Sequence, residues 1–514
     1  MQLAQLIEGL QIKDVHGTLT GDIKHISHNS KKIGCDGLFV ALKGSRTNGH
    51  DHIPEAIALG ATALIVEEER PVDKDVTVIT VPDARVALAI VADCFYQHPS
   101  RTLTVIGITG TNGKTTISYL LESILKAAGD HPGVIGTIEY RYGQQHHAAP
   151  NTTPNALDLQ MIMQEMLAAK TSHLILEVSS HALEQHRVEA VNFDIAVFSN
   201  LSPEHLDYHG TMEQYGKAKE LLFTHYINKS SKEKTYAVIN YDDPLGRTLC
   251  TRTHAQLFRY GSKEGIELNL KDSTLTCDGV SMLVNTPQGE VELNASLIGR
   301  FNIANILAAV GAAMAHDIPL ESIRKGIAQV HSIPGRLERI PNNIGLTILV
   351  DYAHTSDALE HVLTTLRDLH PRRLITVFGC GGDRDKTKRG PMGDTATRKS
   401  DLAIITSDNP RTEDPRDILE QIKAGIDHSA TTYYDAHGLT EADQCSGYTV
   451  IADRRAAIRT AVNLTKPGDI LLVAGKGHED YQIIGDKRHH FSDREEITHA
   501  LSARSRRGEA RQQR

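Results

Sequence analysis

Residues 107–116 read GITGTNGKTT, and no other stretch of the chain limits its possible folds so sharply. An apolar run, Leu103–Ile106, leads into them, and a helical pattern, Ile117–Leu125, leaves them. Gly107 and the Gly113-Lys114-Thr115 trio read as a phosphate loop of the G-x-x-x-x-G-K-[ST] type between a strand and a helix. The backbone N–H groups from Gly110 through Thr111, Asn112, Gly113 and Lys114 to Thr115, with Thr116 next in the helix, are expected to cradle the phosphates of ATP. Lys114 then reaches the β and γ phosphates, and the Thr115 hydroxyl is placed to hold Mg²⁺. Such loops serve many reactions, so the remaining residues must decide which one.

With 514 residues the chain exceeds a single core, and two to four domains are expected. A net charge of −9 argues against a nucleic-acid binder. Six cysteines lie scattered without a CxxC pair, which argues against a zinc ribbon or a disulfide framework and fits a reducing cytoplasm. The start, MQLAQLIEGLQIKD, has no basic segment followed by an apolar one, and no run of ~18 apolar residues occurs. A cytoplasmic protein without a signal peptide or membrane span, and a monomer, is the expectation. The last residues, 501–514, hold five arginines against one glutamate without apolar periodicity, and are expected to be a frayed, disordered tail.

The pattern divides the chain into three α/β parts. Residues 1–98 alternate short β-like runs, such as Ala63–Val66, with helical stretches. The polar segment 96–101 reads as a linker. Residues 99–333 form the ATP-binding part, with strands expected at 103–108, 173–178, 195–199 and 236–240. A hairpin is expected around Asp278-Gly279, and a buried helix at 302–316. Residues 334–500 repeat the strand–helix alternation as a second doubly wound, Rossmann-like unit, with ligands expected at the carboxyl ends of its strands.

Within the middle part Glu177 ends an apolar strand, where a carboxylate serves a metal ion better than it serves an unpaired core position. His205 and His209 are four residues apart, but without an HExxH order they do not make a zinc site. His205 is therefore placed near Mg²⁺ and His209 is assigned to structure. Lys219 reads by itself as an ordinary helix lysine.

The segments TGTNGKTT, EVSSHAL, SNLSPEHLDYHG and YGKAKELLF, in that order, resemble the Mur ligases, ATP-dependent amide-forming enzymes of peptidoglycan synthesis. GRFNIAN at 299–305, PGRLER at 334–339 and VDYAH at 350–354 extend the resemblance over nearly the whole chain. It implies a three-domain fold, with a nucleotide-sugar domain, a central ATPase-like domain and an amino-acid domain. It also implies ATP contacts at Asn302, Arg336 and Asp351, and a carbamylated Lys219 (N6-carboxylysine) that joins Thr115, Glu177 and His205 around Mg²⁺. Lys217 is a competitor for that modification.

Residues 406–415, TSDNPRTEDP, are similar to the family members that take meso-2,6-diaminopimelate as the incoming amino acid. The implied site is Asp408-Asn409-Pro410-Arg411, with Arg384, Gly475 and Glu479. The chemistry agrees, because diaminopimelate is lysine with a carboxylate added at its far end. A guanidinium grips a carboxylate through two parallel charge-assisted hydrogen bonds and repels lysine's ammonium. For the other substrate, UDP-N-acetylmuramoyl-L-alanyl-D-glutamate, the resemblance implies His28 and Ser30, Asn151-Thr152-Thr153, and Ser179, Gln185 and Arg187. Here Asn29 and Lys31 stand where the family has aspartate and arginine, and Ser45-Arg46-Thr47 matches a uridine-side loop in position only.

The implied mechanism passes through an acyl phosphate, with Lys114, Glu177, His205 and Lys219 as its catalytic residues. Three rivals stay open on sequence: a lysine-adding member, a nucleotide-gated binding module without ligase chemistry, and a small-molecule kinase.

Overall fold

In the computed structural model, the apolar run before the phosphate loop becomes the strand Thr104–Thr109, five of whose six residues are buried. It pairs in parallel with Ile195–Phe198 on one side and His173–Glu177 on the other, bringing Ile108 opposite Glu177. Strands buried on both faces need continuous apolar sequence, and these three supply it. The structure describes residues 1–44, 47–69, 72, 75–435, 439 and 446–512, with side chains to 506. The Ser45-Arg46 part of the expected uridine-side loop lies outside them.

The chain divides into two compact units. The first comprises Met1–Asp272, Met282–Leu293 and Ile303–Gln329, and the second comprises Ser273–Ser281, Asn294–Asn302 and Val330–Arg514. In the first, a five-stranded sheet built from residues 14–80 is parallel except for Asp14–His16, which runs antiparallel to Thr77–Thr80. Its helix Ala84–Phe95 is capped by Asp83, whose carboxylate accepts the N–H groups of Arg85 and Val86. The expected linker at 96–101 is instead pinned. His98 sits 2.5 Å from the Asp93 carboxylate, Pro99–Thr102 forms a helical turn, and Ser100 is fully buried.

The central sheet has eleven strands, with the phosphate-loop strand near its middle. The expected hairpin is a three-stranded meander, Leu268–Thr276, Gly279–Thr286 and Gly289–Ala295. The expected buried helix runs Phe301–Ala315. Gln256–Gly261 and the polar hairpin Glu139–Tyr142 with Gln145–Ala148 were not expected from the pattern.

In the second unit, Thr347–Asp351, Ile470–Ala474, Leu374–Phe378, Leu402–Ile405 and Gly447–Val450 lie side by side in that order, all parallel. Four of them end at candidate residues: Asp351, Gly475, the Gly379–Gly382 turn and Asp408–Arg411. Doubly wound sheets bind ligands at such carboxyl ends.

The expectation of a disordered tail from 501 is corrected. Helix Asp493–Gln512 runs through it. Leu501 is buried, and the Arg504 guanidinium donates to the carbonyls of Val462 and Thr465. The arginine takes up otherwise unpaired C-terminal carbonyls of helix Arg454–Leu464, a role that apolar periodicity cannot reveal. Among the described residues no helix is long and apolar enough to cross a membrane.

Candidate active site

The glycines of the phosphate loop do different jobs. Five residues, not the expected four, separate Gly107 from Gly113. Gly107 belongs to the strand, where an added Cβ would meet the Phe193 ring at 2.5 Å, so its glycine is a packing requirement. The turn itself is made by Gly110 (φ +146°) and Gly113 (φ +92°), backbone conformations that side chains disfavour. From Lys114 the helix runs to Ala128 and presents its N-terminus to the loop.

Lys114 curls back over the loop, and its Nζ donates to the carbonyls of Gly110 and Thr111 at 2.8 Å each. Lys219 reaches the same place from helix Met212–Leu221. It is 1% exposed, and its Nζ donates to the Gly110 carbonyl at 2.8 Å. Two amines on one carbonyl cannot both be comfortable as cations. Burial first, then the Lys114 charge, pushes the Lys219 amine well below its ordinary range. Lys217 is exposed and paired with Glu213 at 2.7 Å, which removes it as a competitor for a buried, neutral amine.

Glu177 is 1% exposed. Thr115 and Thr137 donate hydroxyls to one of its oxygens at 3.1 and 2.8 Å, and the Ser118 hydroxyl lies 3.5 Å from the other. Neutral hydroxyls only partly offset a buried charge, and no side-chain cation pairs with this carboxylate among the described residues. Hard oxygen donors around an uncompensated anion fit a divalent cation such as Mg²⁺, with Glu177 and Thr115 to hold it.

His205 stands apart from that cluster. It opens the short turn Leu206–His209 with a left-handed backbone (φ +56°), is exposed, and has no hydrogen bond to Glu177. Its ring packs 4.9 Å from His181 and 6.2 Å from Tyr215. His181 was not singled out from sequence. It also stacks on Tyr208 at 4.2 Å, and burial, with His205 beside it, pushes it down to about 4, so it is neutral at pH 7. His209 is buried between Ser180 (2.9 Å) and the Glu184 carboxylate (3.0 Å), in keeping with a structural role.

A polar chain runs from Glu177 to the residues expected to bind the nucleotide sugar. Thr153 donates its hydroxyl to the Glu177 carbonyl at 2.7 Å and accepts the Ser179 N–H at 3.0 Å. Thr152 meets Thr137 at 3.2 Å. Arg187 donates to the Thr153 carbonyl at 2.8 Å and to Gln185 at 2.8 Å. His28, Asn151, Gln185 and Arg187 line one cavity of ≈180 Å³, joined by Arg85 and Asn155, which the sequence pattern did not mark. Ser30 is engaged elsewhere, since its hydroxyl donates to Glu55 at 2.6 Å. Asn29 caps the turn Ser30–Lys32, and Lys31 is exposed.

The second unit holds the remaining candidates. Asp351 is buried and accepts the N–H groups of Leu337 and Ala353 at 2.8 Å each, while burial pushes its carboxyl above the ordinary value. The Arg336 guanidinium lies 5.2 Å over the Tyr352 ring, and Asn302 donates to the Ile298 carbonyl at 2.8 Å. Arg411 has a left-handed backbone (φ +52°), tied down by hydrogen bonds with Ile483 and Gly485. Its guanidinium donates to the Gly382 carbonyl at 2.7 Å. A Cβ on Gly381 would touch this guanidinium at 3.0 Å and Arg384 at 4.0 Å, so both arginines flank that turn.

Opposite in sign is a cluster centred on Lys476, which is 0% exposed. Its Nζ lies 3.0 Å from the Asp408 carboxylate and 3.8 Å from that of Glu479. It also donates to Asn409 Oδ1 (3.1 Å) and the Tyr481 carbonyl (2.7 Å). Asn409 donates in turn to Glu479 at 3.1 Å. Burial alone would raise Asp408, yet Lys476 and Arg454 hold it below the usual carboxylate range. Glu479 is pushed up, by burial first and then by Asp408. One ammonium thus serves two carboxylates, and the cluster would accept a second. The adjacent Arg454–Asp493 ion pair, 2.7 Å and fully buried, anchors the floor through the Ala474 carbonyl. Replacing Lys476 with methionine should cost about 3–5 kcal/mol, because it leaves Asp408 buried and unpaired. Denaturant unfolding measures this, and no loss would show the charge to be balanced elsewhere.

The family models for the Mur ligase family catalytic domain, the Mur ligase middle domain, and the Mur ligase glutamate ligase domain match residues 22–96, 108–313 and 335–477. Over 510 residues the chain is 44% identical to the UDP-N-acetylmuramoyl-L-alanyl-D-glutamate–2,6-diaminopimelate ligase of Geobacter metallireducens, covering 99% of this chain and 100% of that one. It is 41% identical over 495 residues to the same-named ligase of Geobacillus kaustophilus, covering 96% and 98%. A solved structure of a ligase of that name superposes with a TM-score of 0.70 at 32% identity, covering 98% of this chain and 99% of that one. MurF ligase from Thermotoga maritima in complex with ADP superposes with a TM-score of 0.59 at 20% identity, covering 94% and 98%, and bears on the fold alone.

Proposed function

The chain belongs to the Mur ligase family, and from that premise we propose that it is an ATP-dependent ligase joining meso-2,6-diaminopimelate to UDP-N-acetylmuramoyl-L-alanyl-D-glutamate. The observation that carries the choice of amino acid is the paired charge pattern of the second unit. Arg384 and Arg411 flank Gly381, while Asp408 and Glu479 share Lys476. An amino-acid end with one carboxylate and one ammonium satisfies both poles, whereas the far end of lysine has nothing for the arginines.

In the proposed mechanism the loop N–H groups and Lys114 hold and neutralise the ATP phosphates. Thr115 and Glu177 would hold Mg²⁺, which supplies further charge neutralisation when bound. Arg187, Ser179 and the Thr152-Thr153 pair orient the glutamyl carboxylate of the sugar peptide. That carboxylate attacks the γ-phosphorus, ADP leaves, and an acyl phosphate forms. The neutral amine of diaminopimelate, held by Arg411, Asp408 and Glu479, then attacks the acyl carbon. The tetrahedral adduct loses a proton and expels phosphate, leaving the amide. Lys219, as a buried anion after carbamylation, would add negative charge at the Gly110 end of the phosphate loop for the metal.

The test is the product mass after incubation with Mg·ATP, the nucleotide sugar and diaminopimelate. Mass equal to the two substrates less one water, with one phosphate formed per product, is expected. Phosphorylated nucleotide sugar that persists with diaminopimelate present would instead make the protein a kinase.

A further inference from the structure

Arg85 stands where the helix itself disfavours a cation. It lies in the first turn of helix Ala84–Phe95, where the aligned backbone N–H groups already favour anions over cations. It lines the ≈180 Å³ cavity together with a second arginine, Arg187. Neither forms an ion pair among the described residues. Arg85 donates to the Lys43 carbonyl at 2.8 Å, and Arg187 donates to the Thr153 carbonyl and the Gln185 amide oxygen at 2.8 Å each. All three acceptors are neutral.

The nearby acids are committed elsewhere. Asp83 accepts the N–H groups of Arg85 and Val86 at 2.7 and 3.1 Å. Asp158 accepts from the Asn155 side chain at 2.6 Å. The two guanidiniums also feel each other, since burial and then the Arg85 charge hold Arg187 below its ordinary value. Lys31, the cation that the N-terminal sequence advertised, is exposed and does not line the cavity.

We propose that Arg85 is a substrate-binding residue that closes a two-arginine clamp with Arg187 on an oxyanion of the nucleotide-sugar peptide. The inference rests on the nucleotide-sugar reading given above. The oxyanion is either a diphosphate oxygen or a peptide carboxylate, and both are met by the same bidentate chemistry. Arg187 is tied through Thr153 to Glu177 and so marks the reacting end, while Arg85 approaches from the five-stranded sheet's domain.

The experiment uses the full chain and the variants Arg85→Gln and Arg85→Lys. The KM for the nucleotide-sugar dipeptide should rise roughly 10- to 100-fold in Arg85→Gln, with partial recovery in Arg85→Lys. The change should fall mainly on that KM rather than on kcat or on the KM values for ATP and diaminopimelate. A merely structural role would instead lower the melting temperature and shift all three KM values together. Calorimetry of nucleotide-sugar binding repeats the comparison without turnover. UDP and UDP-N-acetylmuramoyl-L-alanine serve as truncated probes. Weakened UDP binding in Arg85→Gln assigns the contact to the diphosphate, and weakening only of ligands that carry the glutamate assigns it to the carboxylate.

Equal affinity of wild type and Arg85→Gln for the full nucleotide sugar overturns the clamp while leaving the ligase reading intact. Wild type that binds but does not ligate, with Arg85→Gln binding weakly, keeps the clamp and overturns the ligase. Wild type that fails to bind overturns both.

Discussion

Lys219→Ala is expected to lower ATP-dependent phosphate release by roughly 10²- to 10³-fold, the size of loss seen when one preorganised electrostatic contact of an active site is removed. The argument begins with burial. The side chain is 1% exposed, shares the Gly110 carbonyl with Lys114, and lies over the Tyr215 ring at 4.3 Å. An ammonium there is opposed by desolvation first and then by the Lys114 charge, which makes the free amine more accessible than that of an ordinary lysine. A free amine can take up CO₂ and become an anion, which Lys114 then stabilises instead of opposing. Two results follow. Activity of the wild type should fall when bicarbonate is stripped from the buffer. Short carboxylic acids such as acetate should partly restore Lys219→Ala and leave Lys219→Arg inactive. Restoration by methylamine instead would mean that Lys219 works as an ammonium.

Arg411→Asn should cut kcat/KM for diaminopimelate by roughly 10²- to 10³-fold, since truncating one partner of a desolvated charge pair costs about 2–5 kcal/mol. Asparagine suits the test because Arg411 has φ +52°, a conformation that asparagine tolerates well. The loop backbone, bonded to Ile483 and Gly485, then stays in place while the guanidinium goes. Lysine as substrate should gain relative to diaminopimelate, because the repelling cation is removed. Arg411→Lys should not rescue, because an ammonium cannot reproduce the planar two-point grip. Equal losses toward both amino acids would show Arg411 to be holding the loop rather than reading the substrate.

What could be read from sequence follows from what repeats. Buried parallel strands need continuous apolar runs, so Thr104–Thr109, His173–Glu177 and Ile195–Phe198 were legible within a residue. The loop that follows the first of them was legible because anion binding demands glycine at positive φ. Lys476 was not, because a lysine between two glycines reads as solvent-facing loop. Only the fold brings Asp408 to within 3.0 Å of it. Arg454 and Asp493, 39 residues apart, form their buried pair for the same reason. Arg85 was hidden in an ordinary amphipathic helix. The polar strand Gln145–Ala148 has no apolar face to betray it, being exposed at all four positions. The tail was misread because the apolar stripe Ile497, Ala500 and Leu501 ends where the tail begins, and beyond it Arg504 holds the helix through backbone carbonyls. Local patterns thus locate the sheets and the phosphate loop, while charge pairs closed across long sequence separations stay invisible.

Phosphate release by the wild-type protein is the measurement to make first, with Mg·ATP and UDP-N-acetylmuramoyl-L-alanyl-D-glutamate, adding meso-diaminopimelate or L-lysine in parallel. The charge pattern around Arg411, Asp408 and Glu479 predicts release with diaminopimelate and little with lysine. Comparable release with lysine, or release that needs no amino acid at all, would contradict it.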